Sequence, residues 1–205
     1  MKRIKFFIPL FAVTLCISST NCSCQGPDAW EKLQNDRQPP EKVMDAIGIR
    51  PGMIIGEVGA GRGRYVVHMA RRTGPEGKVY ANDINKKDLN YLDLRCDRDD
   101  ITNVETILGG ETDPKFPANS IDVVYIINTY HHIEDVVSLM RNIIPSLKSE
   151  GKFVIIENEP EKSGWDSHGT PGKRLIKEVE EAGFKLETSI DILELDVIYI
   201  FNIKD

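Results

Sequence analysis

The chain has 205 residues, room for one medium domain and a small appendage; at 40% hydrophobic and 28% charged it can bury a core, which excludes disorder throughout and a disulfide-stapled miniprotein. Net charge is −6, and because the first 24 residues carry Lys2, Arg3 and Lys5 but no acid, the remainder stands at −9, which repels phosphate backbones and disfavours nucleic acid as a partner. Cys16, Cys22 and Cys24 crowd the N-terminus and leave Cys96 alone in the body, so no internal disulfide framework forms, and no His/Cys spacing suits a metal site.

Residues 1–24 read as a leader: a basic stub, a short apolar run interrupted by Pro9, then small polar residues. The layout is that of a secretory signal peptide or of a lipoprotein leader with Cys22 or Cys24 as the lipidated residue, although Ser19-Thr20-Asn21 suits such a site poorly. It predicts export or membrane attachment at the cell envelope, and a cytoplasmic protein if the leader is not processed. The alternative is a short buried helix. Residues 25–38 read as a polar linker with a possible amphipathic turn at Trp30 and Leu33, and residues 39–205 as the folded domain.

Pro39-Pro40-Glu41 starts a helix, since proline suits the first turn and an early acid suits the positive end of the dipole. Residues 53–58 form a near-continuous apolar run, as in a strand buried on both faces. Helices are predicted over 65–72, 86–98, 133–147 and 174–182, and further strands over 78–83, 104–108, 121–127, 152–157, 184–192 and 195–203. Short links between alternating strands and helices imply an α/β fold with a doubly wound, mainly parallel, seven-stranded sheet. The last two strands leave no room for a crossover helix, so they form an antiparallel pair.

Three motifs carry chemistry. Glu57-Val58-Gly59-Ala60-Gly61-Arg62-Gly63 joins the first strand to a helix. Its glycines permit a tight turn, and the helix start offers free N–H groups to a carboxylate or phosphate. The spacing is G-x-G-x-G, which departs from the dinucleotide fingerprint. The adjacent acid Glu57 points to a ligand that also bears a cation. Asp83 ends the second strand, where a carboxylate accepts both hydroxyls of a ribose; the alternative is a helix cap. Asn128-Thr129-Tyr130-His131-His132 ends the fourth strand, with His131, His132 and Tyr130 as candidate acceptor contacts or general base; the alternative is a capping or solvent-facing histidine pair.

Together with Asn119-Ser120-Ile121-Asp122-Val123-Val124, Ser146-Leu147-Lys148-Ser149-Glu150-Gly151-Lys152 and Glu181-Ala182-Gly183-Phe184, these stretches make residues 39–203 resemble a class I S-adenosylmethionine-dependent methyltransferase with its Rossmann-like fold. Within that family the chain is most similar to the small-molecule branch of type 11 and type 25 methyltransferases that includes quinone-biosynthesis enzymes. The resemblance implies S-adenosylmethionine as cofactor, with the loop Glu57, Gly59, Ala60, Gly61 and Gly63 at its methionyl end. Asp83 would take the ribose, Ile84 would lie against the adenine, and Asn128 with Tyr130 would stand near the sulfonium. Where the family often has Gly-Asp after the third strand, this chain has Gly109-Gly110-Glu111, with Gly110 at the Asp position; the alternatives are that Glu111 substitutes at the adenine amino group or that adenine binding is weaker.

The implied reaction is methyl transfer to a small-molecule acceptor, by positioning and exclusion of water. His131, His132 or His168 would serve as a base if the acceptor must lose a proton. Glu157 and Glu159 read as solvated rim charges or, alternatively, acceptor contacts; Trp165 walls the acceptor or anchors its loop. The competing reading is an inactive methyltransferase-like binding or accessory protein at the cell envelope, motivated by Gly110 and the leader. An NAD-type oxidoreductase is disfavoured by the glycine spacing.

Overall fold

The computed structural model describes residues 29–163 and 168–204. The leader, its three cysteines and Trp165 lie outside the described residues. Ile54–Val58 (β1), Lys78–Asp83 (β2), Val104–Leu108 (β3), Ile121–Ile127 (β4), Leu147–Asn158 (β5), Phe184–Ile190 (β6) and Asp196–Ile203 (β7) form one sheet in the order β3-β2-β1-β4-β5-β7-β6. β1 to β5 run parallel, and β7 lies antiparallel between β5 and β6. The sheet is therefore the mainly parallel, seven-stranded α/β sheet expected, with the antiparallel pair at its C-terminal edge.

Two buried clusters cover its faces. Pro40–Ala46 (α2), Val66–Thr73 (α3) and Lys86–Arg98 (α4) contribute Val43, Met44, Val66, Met69 and Leu92 to one. Val136–Ile143 (α5) and Gly172–Glu181 (α7) contribute Leu139, Met140, Leu175 and Val179 to the other. β4, at the centre, has both faces covered, which is why its sequence is apolar nearly throughout.

Two segments differ from the sequence expectation. The helix expected over 133–147 is confined to α5, because the Asp135 side chain caps its start at Ser138 N and Pro145 tightens the chain into a 3-10 turn over Ile144–Ser146. Where a linker was expected, Ala29–Arg37 (α1) is a helix. Its apolar residues Trp30 and Leu33 are exposed (61% and 64%), while Glu31 is buried. Polar bonds dock it: Arg95 donates two hydrogen bonds to Glu31, and Arg37 donates two to the buried Asp196 of β7. A short helix, Pro160–Ser163 (α6), follows β5. Among the described residues no helix is long and apolar enough to cross a membrane, and no group of three His, Cys, Asp or Glu is placed to hold a metal ion.

Candidate cofactor and acceptor site

The glycine loop leaves β1 where β4 also ends, so backbone approaches backbone. Gly59 (φ +77°) permits this: a Cβ there would stand 2.3 Å from the Thr129 methyl. The Gly59 and Ala60 amides both donate to Asn82 O at 2.9 Å, which ties the loop to β2. Gly63 packs against Leu92 of α4. Gly61 differs: at φ +52° its Cβ position meets nothing within 4 Å, so its backbone is open to a ligand. Asp83 closes the loop from the other side, accepting from Gly61 N and Asn85 N at 2.8 Å each. Two of its lone pairs are thus used, and the outer ones remain for hydroxyl donors.

Glu57 is 2% exposed, with the Tyr125 hydroxyl donating to it from the paired position on β4. Burial pushes its carboxyl up to about 8; the Tyr125 bond and the Arg64 charge pull the other way. Arg64, just past the loop, donates to the neutral amides Gln38 (2.8 Å) and Asn35 (3.3 Å), and burial lowers its own pKa. Gln38 exchanges two 2.9 Å hydrogen bonds with Asn128, which holds φ +52° at the end of β4, and its backbone carbonyl accepts from Tyr65. A cation and a carboxyl thus face one cavity, each held by neutral partners.

That cavity, about 770 Å³, is lined by Glu57, Gly59, Ala60, Gly61, Arg64 and Trp30 of α1. Asn128 and Trp30 also line a second cavity of about 540 Å³, so the two meet there. The second takes in His131, His168, Asn158 and Leu195.

The sequence-derived residues divide accordingly. Glu57, Gly59, Ala60, Gly61 and Asn128 come together at the first cavity. Gly63 and Asp83 brace its loop. Ile84 (63% exposed) and Glu111 sit at the outer rim and line neither cavity. Tyr130 is not brought to the site: it is buried, and its hydroxyl donates to Glu178 of α7 at 2.7 Å, on the opposite face of the sheet. His132 is exposed, its ring tilted by 53° against that of His131 at 4.1 Å between centroids.

His131 lines the second cavity with Nδ1 2.6 Å from Glu157 Oε1. Glu157, expected on the solvated rim, is instead 1% exposed. β7 pairs beside it, and burial lifts its carboxyl to about 8. Burial lowers His131 to about 4, helped by the His132 and His168 charges. Glu159 accepts from Gly172 N and from the Tyr199 hydroxyl. The sequence pointed to neither Arg64, Gln38 nor the Glu157–His131 pair, since each becomes functional only through partners remote in the chain.

The sequence profile described as "Methyltransferase domain" matches residues 56–155, from β1 into β5. Over 116 residues, 56% of this chain, it is 30% identical to a ubiquinone/menaquinone biosynthesis C-methyltransferase of Idiomarina loihiensis, covering 46% of that protein. It is 34% identical over 88 residues, 43% of the chain, to the nocamycin O-methyltransferase of Saccharothrix syringae, covering 31% of it. The chain thus spans half or less of the length of these curated relatives. A SAM-dependent methyltransferase from Aquifex aeolicus superposes with TM-score 0.76 over 86% of this chain and 98% of that one, at 21% identity. Residues 56–155 thus match the methyltransferase-domain profile, and the sheet order is that of the fold of the SAM-dependent methyltransferase on which the chain superposes.

Proposed function

We propose that the protein is an active methyltransferase that binds S-adenosylmethionine in the first cavity and methylates a small-molecule acceptor. The carrying observation is the pairing of Glu57 and Arg64 on either side of the open backbone at Gly61. An α-amino acid end bears one ammonium and one carboxylate. Glu57 suits the first, and Arg64 suits the second. The residues present therefore fit the cofactor's methionyl end, and the outer lone pairs of Asp83 suit its ribose.

When bound, the cofactor supplies an electrophilic methyl group. Glu57 and Arg64 fix the amino-acid end, Asn128 stands where the two cavities meet, and α1 lines both. A small acceptor suits the size of the second cavity and the acidic body, and the quinone-pathway and nocamycin relatives support that class. The leader's layout supports attachment at the cell envelope; mass spectrometry of the native N-terminus, showing cleavage near residues 22–25 with or without lipid, tests that part.

Turnover is tested on the full chain with methyl-labelled cofactor and a panel of quinols, phenols and thiols. Label transfer to one class is expected. Tight S-adenosylhomocysteine binding with no transfer to any small molecule would contradict the reading.

A further inference from the structure

We propose that the second cavity is the acceptor site for a compact ring bearing a phenolic or enolic hydroxyl, with His131 removing the hydroxyl proton and Glu157 positioning His131. This inference rests on the methyltransferase reading above.

The cavity's chemistry selects the class. Trp30 and Leu195 offer apolar surface to a ring, while Gln34 and the second amide hydrogen of Asn128 can donate to its oxygens. Arg37 at its wall is already bound by Asp196. Among the described lining residues there is neither a carboxylate to attract an amine cation nor a thiol for a soft metal. What the wall does offer is an imidazole, beside the Asn128 and Trp30 boundary across which a methyl group must pass.

The imidazole is oriented. Glu157 holds Nδ1, the tilted His132 ring packs against its own, and Nε2 is the nitrogen that remains for a ligand. In the acting form Nδ1–H is donated to the Glu157 carboxylate, which leaves a lone pair on Nε2. The acceptor oxygen bonds to the methyl carbon, the C–S bond breaks with its electron pair going to sulfur, and the hydroxyl proton passes to Nε2. The sulfonium loses its positive charge as the His131–Glu157 pair loses its negative one, so charge balances.

The groups facing this pair are His132, His168, Asp196, Arg37, Tyr130, Tyr199 and the Thr170 amide. With Glu157 raised to about 8, the pair retains an extra proton at neutral pH, and the acting form grows as pH rises through about 8.

The test uses the full chain and ring-substituted phenols with pKa from about 7 to about 10. The wild type should methylate them, with the rate on the weakest acid rising to a plateau above about pH 8. His131→Asn should lose about 100-fold or more on the weakest acid, and under about fivefold on the phenol already ionised. Glu157→Gln should show the same selective loss, because a carboxamide donates to Nδ1 and leaves the proton on Nε2. Unchanged S-adenosylhomocysteine affinity in both variants confirms that they fold; if one does not fold, the wild-type pH profile decides. Equal loss across the series, a flat pH profile on the weakest acid, or no phenol methylated while the cofactor product binds would overturn the proposal and leave the methyltransferase reading standing. Absence of S-adenosylhomocysteine binding would overturn both.

Discussion

Glu57 sits in a pocket that favours its neutral form, yet an arriving ammonium favours the charged one. Burial holds the carboxyl at about 8, so at neutral pH the free protein keeps it mostly protonated. Binding a ligand ammonium must therefore expel that proton, and affinity should rise as pH increases from about 6 to about 8. Calorimetry of S-adenosylhomocysteine in buffers of different ionisation enthalpy should detect the released proton; in Glu57→Gln both the release and the pH dependence should vanish. Asp83→Ala should weaken the same ligand at least about tenfold, about 1.4 kcal/mol, since it strips the brace from Gly61 N as well as the hydroxyl acceptors. Unchanged affinity would remove Asp83 from the site. Gly63→Ala should destabilise the fold by about 1–3 kcal/mol in urea denaturation, because the new methyl meets Leu92 at 2.3 Å at a φ of +79°.

At the scale of elements, α1 decides access. Its contacts are ionic and polar, so the helix depends on Glu31 and Arg37 more than on Trp30 or Leu33. Glu31→Ala leaves the buried Arg95 without its carboxylate, a loss of about 3–5 kcal/mol for a buried pair. Hydrogen exchange in residues 29–37 should accelerate, and cofactor affinity should fall with it; protection equal to wild type would show that the pair does not dock α1. This polar docking also explains what the sequence hid. α4 was legible to its ends because Asn85 caps it locally and Leu89, Leu92 and Cys96 keep the helical period. β4 was legible because both its faces are apolar. Hydrophobic periodicity cannot reveal α1, whose buried residue is an acid paired 64 positions away. In the same way Glu57 was legible beside its glycines, whereas Glu157 reads as a rim charge until β7 returns alongside β5 and closes over it.

For the whole molecule, two buried carboxyls imply a stability profile. Glu57 and Glu157 both titrate at about 8 in the fold against the ordinary carboxylate value in the unfolded chain. The folded state therefore holds more protons between about pH 4.5 and 8, and these groups lower stability as pH rises across that range. His131, lowered to about 4, works in the opposite direction up to about 6.5, so the loss should be clearest from about 6.5 to 8. Urea denaturation at several pH values should show this slope, and Glu157→Gln should flatten part of it; an unchanged slope would place the titration elsewhere. The trade is a reasonable one for a binding protein, because the strain at Glu57 is relieved when a cation arrives. The central claim is that Glu57, Arg64 and the open Gly61 backbone form a site for the amino-acid end of S-adenosylmethionine. Titration calorimetry of the full chain with S-adenosylhomocysteine tests it most directly. Saturable binding at one site per chain is expected, weakened at least about tenfold in Arg64→Met. No binding at millimolar ligand, or equal binding by that variant, would contradict it.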